Sequence, residues 1–266
     1  MLTQQQITDA ADRLYHAEKE HEQIKALTMS FSMDMDDAYA IQKAWIERRL
    51  KDGEKIIGYK IGLTSRTMQV AMNINTPDYG VLTDAMLFPN QSKLNAADYL
   101  DPRIESEFAF VMKKRLFGEN VSIEEVMDAT DYVQPALELI SARSRRVDPE
   151  TGYTRNVCDT IADNAANAGI ICGGEKVAPE DIDLKWAGSL LYLNDEIEDS
   201  GMGAAVMGHP AHGIRWVCKR FAPHGIALEP GQVILSGSFT RPVPVKAGDR
   251  VFADYGKSGS IEVDFV

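Results

Sequence analysis

The sequence predicts an α+β fold, and three observations predict it. Apolar residues recur at helical spacing over the first fifty residues, whereas later stretches are mostly short or alternating apolar runs separated by turn residues. Helices therefore come first and strands mostly later, without the regular strand–helix alternation of a wound parallel sheet. No internal repeat, low-complexity tract or Pro/Gly/Ser linker divides the chain. The 266 residues accordingly read as one domain, with a mainly helical region over 1–75 and a β-rich core over 76–266.

Taken in order, Ile7, Ala10, Ala11, Leu14 and Ala17 outline the buried stripe of a first helix. Ala38, Ile41, Trp45 and Arg48 outline a second, which stops at Gly53, and residues 26–35 connect the two. Residues 56–61 read as a strand running into the turn Gly62-Leu63-Thr64-Ser65, followed by a short helix over 66–72. Residues 81–87 form a short apolar run, and 104–112 alternate clearly as a strand. Ser122 with Glu125 makes a capping box for a helix through Met127. Residues 132–140 are again extended, with Pro135 indicating an edge or a bulge. A helix is expected over 160–168, ending at Gly169. Asn194-Asp195 interrupts the run 190–197 as a hairpin turn. Pro210 opens a helix whose buried stripe is Ile214, Val217, Cys218 and Phe221, before Gly225. Strands are expected over 233–236, 243–245, 251–255 and 261–265.

Composition narrows the function. Forty acidic against 28 basic side chains give a net charge of −12, which argues against a phosphate-backbone-binding surface or attraction to an anionic membrane. No apolar run approaches the roughly 20 residues of a spanning helix, and the first residues are too polar for a signal peptide. Cys158, Cys172 and Cys218 are odd in number and widely spaced, matching neither a disulfide framework nor a zinc pattern. Three reduced thiols in a cytoplasmic protein are expected.

The segment Arg103-Ile104-Glu105-Ser106-Glu107-Phe108 carries the strongest chemical signal. Residues two apart on a strand share a face, so Glu105 and Glu107 lie together, opposite Ile104, Phe108 and Phe110. Spacing alone favours a solvated strand face. Glu138 changes the balance, because a glutamate inside the apolar run 132–140 must be paired, protonated or metal-bound. Three carboxylates with no nearby His or Cys suit a hard divalent cation.

Lys60, in an apolar strand, is either a buried ammonium able to move protons or hold an anion, or a lysine that snorkels from a strand edge. Asp78 lies in a Pro-Asp turn. Gly201-Met202-Gly203 does not carry a dinucleotide fingerprint, since it follows an acidic hairpin and lacks the third glycine. His209 and His212 read as cap or core residues at a helix start. Ser236-Gly237-Ser238 lacks the context of a serine hydrolase and reads as a small-residue loop whose amides approach an anion. Arg143, Arg145, Arg146, Arg155 and Arg241 form a local basic surplus, either solvated or with one or two clamping a carboxylate.

Seven segments then occur in a telling order: Lys60-Ile61-Gly62-Leu63-Thr64-Ser65, Pro77-Asp78-Tyr79-Gly80, Ile104-Glu105-Ser106-Glu107, Pro135-Ala136-Leu137-Glu138, Ala162-Asp163-Asn164-Ala165, Gly208-His209-Pro210 and Ser236-Gly237-Ser238-Phe239-Thr240. Together they resemble the hydratase/decarboxylase branch of the fumarylacetoacetate hydrolase superfamily, from the N-terminal helix to the last strand. The resemblance implies a mixed β-roll core with a helical N-terminal region. It implies Mg²⁺ or Mn²⁺ held by Glu105, Glu107 and Glu138, and a homo-oligomer such as a decamer built from smaller units.

The activity implied is addition of water to a seven-carbon 2-oxo alkenedioate of homoprotocatechuate catabolism. Lys60 would transfer a proton or hold the developing enolate, Asp78 would orient water as general base, and Asp163 would support them. Leu63, Ser236, Ser238 and Arg241 are the expected substrate contacts, with Arg241 first in line for the distal carboxylate. The rival readings are a 2-oxo-3-hexenedioate decarboxylase, an acylpyruvate hydrolase, and a non-catalytic metal-stabilised partner of a decarboxylase. Asp78 leans the reading towards hydration.

Overall fold

A computed structural model of the chain describes residues 1–71 and 74–266. The two N-terminal helices are α1 (Gln4–Glu20) and α2 (Met35–Lys51). Each opens with a reciprocal cap, Thr3 with Gln6 and Asp34 with Asp37, which satisfies amides a helix start leaves unpaired. Helix α3 spans Arg66–Ala71, and residue 72, to which the sequence extends it, lies outside the described residues. The Ser122 capping box opens α4 (Ile123–Ala129), as expected. Two further helices are α5 (Val157–Ala162) and α6 (Ala211–Phe221), and His209 Nδ1 accepts from the Ala211 amide at 3.1 Å at the start of the latter.

The strands are β1 (Ile56–Gly62), β2 (Asp78–Thr83), β3 (Leu87–Pro89), β4 (Ser92–Leu94), β5 (Arg103–Met112), β6 (Thr130–Ile140) and β7 (Asn167–Cys172). They continue with β8 (Gly188–Leu193), β9 (Glu196–Met202), β10 (Val233–Leu235), β11 (Val243–Pro244), β12 (Arg250–Asp254) and β13 (Ser260–Phe265). The larger sheet runs β2-β1-β10-β5-β6-β7-β3, with β11 also on β5, and the smaller runs β4-β13-β12-β8-β9. Both are mixed: β1–β10, β3–β7 and β4–β13 are parallel and the other pairs antiparallel. The fold is α+β. One apolar core joins Leu14 and Trp45 of the helices to Phe108 and Phe110 of β5, Phe221 of α6 and Phe265 of β13. A second, small cluster of Leu82, Ala109, Ala136, Ile170 and Leu235 covers the other face of the larger sheet.

Three local expectations are corrected. The helix over 160–168 ends at Ala162, and the chain passes through a turn into β7, a strand the sequence reading missed. Asn164, Ala165 and Ala166 are all left-handed, with φ of 52°, 51° and 57°, and no right-handed helix continues through them. The Asn164 side chain holds this turn by bonding both backbone groups of Val81 in β2, at 2.8 and 3.0 Å. Gly169 is not a helix cap; it sits within β7, where a Cβ would lie 2.5 Å from the Phe88 ring.

Pro135 lies neither at a sheet edge nor at a bulge, since β6 runs between β5 and β7 and pairs Pro135 with Phe108. Its missing N–H falls on the side where β7 has just ended, at Cys172, and where the Gly173 amide bonds the Pro135 carbonyl. The apolar run 81–87 is split, because β2 stops at Thr83 and β3 starts at Leu87. The Asn194-Asp195 hairpin is as expected, with both residues left-handed between paired Leu193 and Glu196.

Gly201 of β9 shows why that segment is glycine-rich without a nucleotide. A Cβ there would lie 1.7 Å from the Phe239 carbonyl oxygen, so β9 packs directly on the loop after β10. Gly201→Ala is expected to destabilise the fold by about 1–3 kcal/mol, the scale of overpacking. A lowered urea midpoint with an unchanged slope checks it.

Candidate metal and catalytic site

Residues paired directly across strands project to the same side of a sheet, as do residues two apart on one strand. The register of the larger sheet therefore builds the site. Glu105 pairs with Glu138 and Glu107 with Ala136. Ala109 pairs with Leu235, and Leu235 with Lys60. Lys60 pairs with Gly80, and Gly62 with Asp78. Lys60, Asp78, Glu105, Glu107 and Glu138 thus share one face, floored by the small apolar cluster.

An oxygen of each of Glu105, Glu107 and Glu138 lies within 4.8 Å of the others. Glu107 and Glu138 are buried and Glu105 partly so. Glu107 Oε2 accepts from the Gly237 amide at 2.9 Å, which aims it. Glu138 Oε1 accepts from Asn167 Nδ2 at 2.9 Å and lies 3.0 Å from Lys60 Nζ, while Oε2 has no hydrogen-bond partner among the described residues. Burial and the neighbouring carboxylates push Glu105 up to about 8 and Glu107 well above the ordinary range. Three clustered carboxylate donors, among them Glu105 and Glu107 that resist ionising, fit a hard divalent cation whose charge offsets theirs.

Lys60 is buried rather than snorkelled, at 4% exposure. Burial alone would lower its pKa, but Glu138, Asp78, Glu105 and Glu107 outweigh it and hold the ammonium charged. Asp78 is also buried, and among the described residues neither carboxyl oxygen has a partner of good hydrogen-bond geometry. Burial raises its pKa against the pull of Lys60. Gly62 makes room for both groups, since a Cβ there would stand 2.3 Å from Asp78 Oδ1 and 3.0 Å from Lys60 Nζ.

These groups face a cavity of about 250 Å³. Leu63, left-handed at φ 54°, lines it, as do Thr64, Ser238 and Thr240. Thr240 Oγ1 accepts from the Ser106 amide at 2.9 Å, and Ser238 Oγ donates to the Thr240 carbonyl at 2.7 Å. The loop is thereby pinned to β5 between its two glutamates.

Four expected site residues are not among those lining this cavity: Glu138, which sits behind it against Lys60 and Asn167, and three others. Asp163 is buried beneath it, bonded to Arg143 Nη1 at 3.0 Å and to the Arg143 amide at 2.8 Å, because a buried carboxylate takes the nearest cation and amides. Arg143 in turn stacks 4.5 Å over the Trp45 ring and reaches Glu18. Arg241 is half exposed and turned outward to Glu198 and Asp199. Ser236 is fully buried, with its amide on the Phe108 carbonyl. Thr64, Thr240, Ala165 and Ala166 line the cavity and were not singled out, since single small or hydroxyl residues carry no spacing signal.

Comparison with known proteins gives the chain its relatives. The family model described as fumarylacetoacetate (FAA) hydrolase C-terminal matches residues 62–266. The chain is 48% identical over 257 residues to 2-oxo-hept-4-ene-1,7-dioate hydratase of Escherichia coli, covering 96% of each. It is 35% identical over 268 residues to 2-hydroxyhexa-2,4-dienoate hydratase of Comamonas testosteroni, covering 100% of this chain and 99% of that one. A solved 4-oxalocrotonate decarboxylase from Pseudomonas putida, complexed with magnesium and adipate, superposes with a TM-score of 0.94 at 32% identity, covering 100% and 99%.

Two outcomes are expected. Free Mg²⁺ at about a hundredfold over its Kd should stabilise the fold by about 2.7 kcal/mol, and Glu107→Gln should remove most of that gain. Thermal unfolding with Mg²⁺ and with a chelator measures both. Asp163→Ala, which leaves buried Arg143 short of its main anion, should lose about 3–5 kcal/mol in chemical denaturation.

Proposed function

The chain belongs to the fumarylacetoacetate hydrolase family, and we propose that it hydrates 2-oxohept-4-ene-1,7-dioate, adding water to give a 4-hydroxy-2-oxo diacid in aromatic catabolism. It is an enzyme of the lyase class that works with a divalent cation, Mg²⁺ or Mn²⁺. One observation carries the reading: in a chain 48% identical to such a hydratase, Lys60 and Asp78 line one cavity with Glu105 and Glu107, and Lys60 reaches Glu138 of the same carboxylate triad. Homoprotocatechuate breakdown is the pathway proposed.

Glu105, Glu107 and Glu138 would hold the cation, which supplies Lewis acidity to the 2-oxo acid end of the substrate. The overall change moves one proton from C3 to C5, bringing the double bond into conjugation with the ketone. Water then bonds through oxygen to C4 while C3 regains a proton, so one H₂O is added. Asp78 is suited to the proton steps: a buried carboxyl with a raised pKa both accepts and returns a proton. It also orients the water. Lys60, charged and fixed by Glu138, stabilises negative charge on the C2 oxygen. Leu63 and Ser238 shape the wall, and Asp163 acts only from below, by fixing Arg143.

Loss of a carboxylate would use the same enolate, and the decarboxylase likeness is lower in identity, at 32%. Asp78 gives this site a group for handling water. The remaining proposals are a single domain over 1–266, a homo-oligomer as large as a decamer, and a cytoplasmic setting. Leu190, Ile197 and Met202 are exposed on β8 and β9 and offer copies of the chain an apolar contact. The three free cysteines suit a reducing compartment.

Lys60→Met and Asp78→Asn should each lower kcat by about 10²-fold or more, with Mg²⁺ still bound. Loss of the dienol's ultraviolet absorbance without release of carbon dioxide would support hydration. Carbon dioxide released in step with that loss would assign decarboxylation instead.

A further inference from the structure

The local surplus of arginines resolves unevenly in the structure. Arg143 is consumed by Asp163, Glu18 and the Trp45 ring, and Arg241 by Glu198. Arg145 lines a different groove, beside α1. Arg146 and Arg155 alone among them line the cavity that Lys60, Asp78, Glu105 and Glu107 face.

Neither guanidinium is fully used. Arg146 Nε pairs with Asp101, but its Nη2 is buried and has no hydrogen-bond partner among the described residues. Asp101 is also shared with Arg103, at 3.4 Å. Arg155 is buried, its Nη1 bonds the neutral Ser144 carbonyl at 3.1 Å, and Asp163 Oδ2 stands 3.7 Å away. That oxygen already accepts from the Arg143 amide. Burial and the nearby Arg146 charge pull Arg155 down to about 10, against the opposing pull of Asp163, Asp159 and Asp101. Two under-neutralised guanidiniums at one cavity wall, beside the hydroxyl-bearing Thr154 and Thr160, call for an anion.

We propose that Arg146 and Arg155 form the subsite for the second carboxylate of the substrate, so that the cavity selects dianionic over monoanionic 2-oxo acids. This rests on the hydratase reading, in which the carboxylate triad and Lys60 occupy the 2-oxo acid end. A planar fork accepts a carboxylate bidentately, and the two arginines need the negative charge that a monoacid of equal length lacks at that end. They are binding residues, outside the proton steps.

The test compares adipate with hexanoate, equal in length and differing in the second carboxylate, by calorimetric titration of the Mg²⁺-loaded protein. Arg146→Ala removes a partly exposed side chain, and Arg155→Lys keeps a buried charge while losing the fork. Each should lower the adipate-to-hexanoate affinity ratio by about tenfold to a hundredfold. Arg241→Ala, outside the cavity, should leave the ratio as in wild type. If wild type binds the two acids equally, or if both variants weaken the two acids alike, the subsite is wrong. If the ratio follows the arginines while the dienedioate is never hydrated, the subsite stands and the hydratase reading falls.

Discussion

Everything at the centre of this protein follows from the burial of like charges. Three glutamates and an aspartate crowd one sheet face with a single ammonium among them. Water cannot screen them there, and apolar neighbours make the charged forms expensive. The arrangement is stable only with shared protons, with Lys60 kept charged, or with a cation. The same tension marks the face as a candidate functional site, because perturbed pKa values such as those of Asp78, Glu105 and Glu107 cluster where chemistry is done.

The larger sheet imposes that tension through register, and small residues make it sterically feasible. Glu105 meets Glu138 because β5 and β6 pair without slippage at that point. Gly62 and Gly237 leave space where any side chain would strike Asp78 or Thr64. The left-handed turn at Asn164–Ala166 closes one wall of the cavity and ties it to β2. Local strain and charge repulsion thus occur in the same few ångströms, offset by the apolar core on the far side of the sheet.

Much of this was legible in the sequence. Alternation placed Glu105 and Glu107 on one face, and the isolation of Glu138 in an apolar run marked it as exceptional. The Ser122–Glu125 capping box and the Asn194-Asp195 turn announced their elements because each signal is local. What stayed hidden depended on distant partners. The strand β7 was missed since nothing within 160–172 shows that Asn164 bonds Val81. Arg241 was misjudged because its acidic partner Glu198 lies on another hairpin. Asp163 sat within a matching motif, yet a motif cannot distinguish a group that meets substrate from one that holds an arginine below it.

The parallel pairing of β1 with β10 joins Lys60 to a segment near the end of the chain. On the ribosome, β1 therefore waits with one edge open until Val233–Leu235 have emerged, and long loop closure makes that step slow. Until then the acidic face is unfinished and lacks the Gly237 amide that aims Glu107. Assembly of the centre thus follows the emergence of residues 233–237, which supply both that pairing and the Gly237 amide.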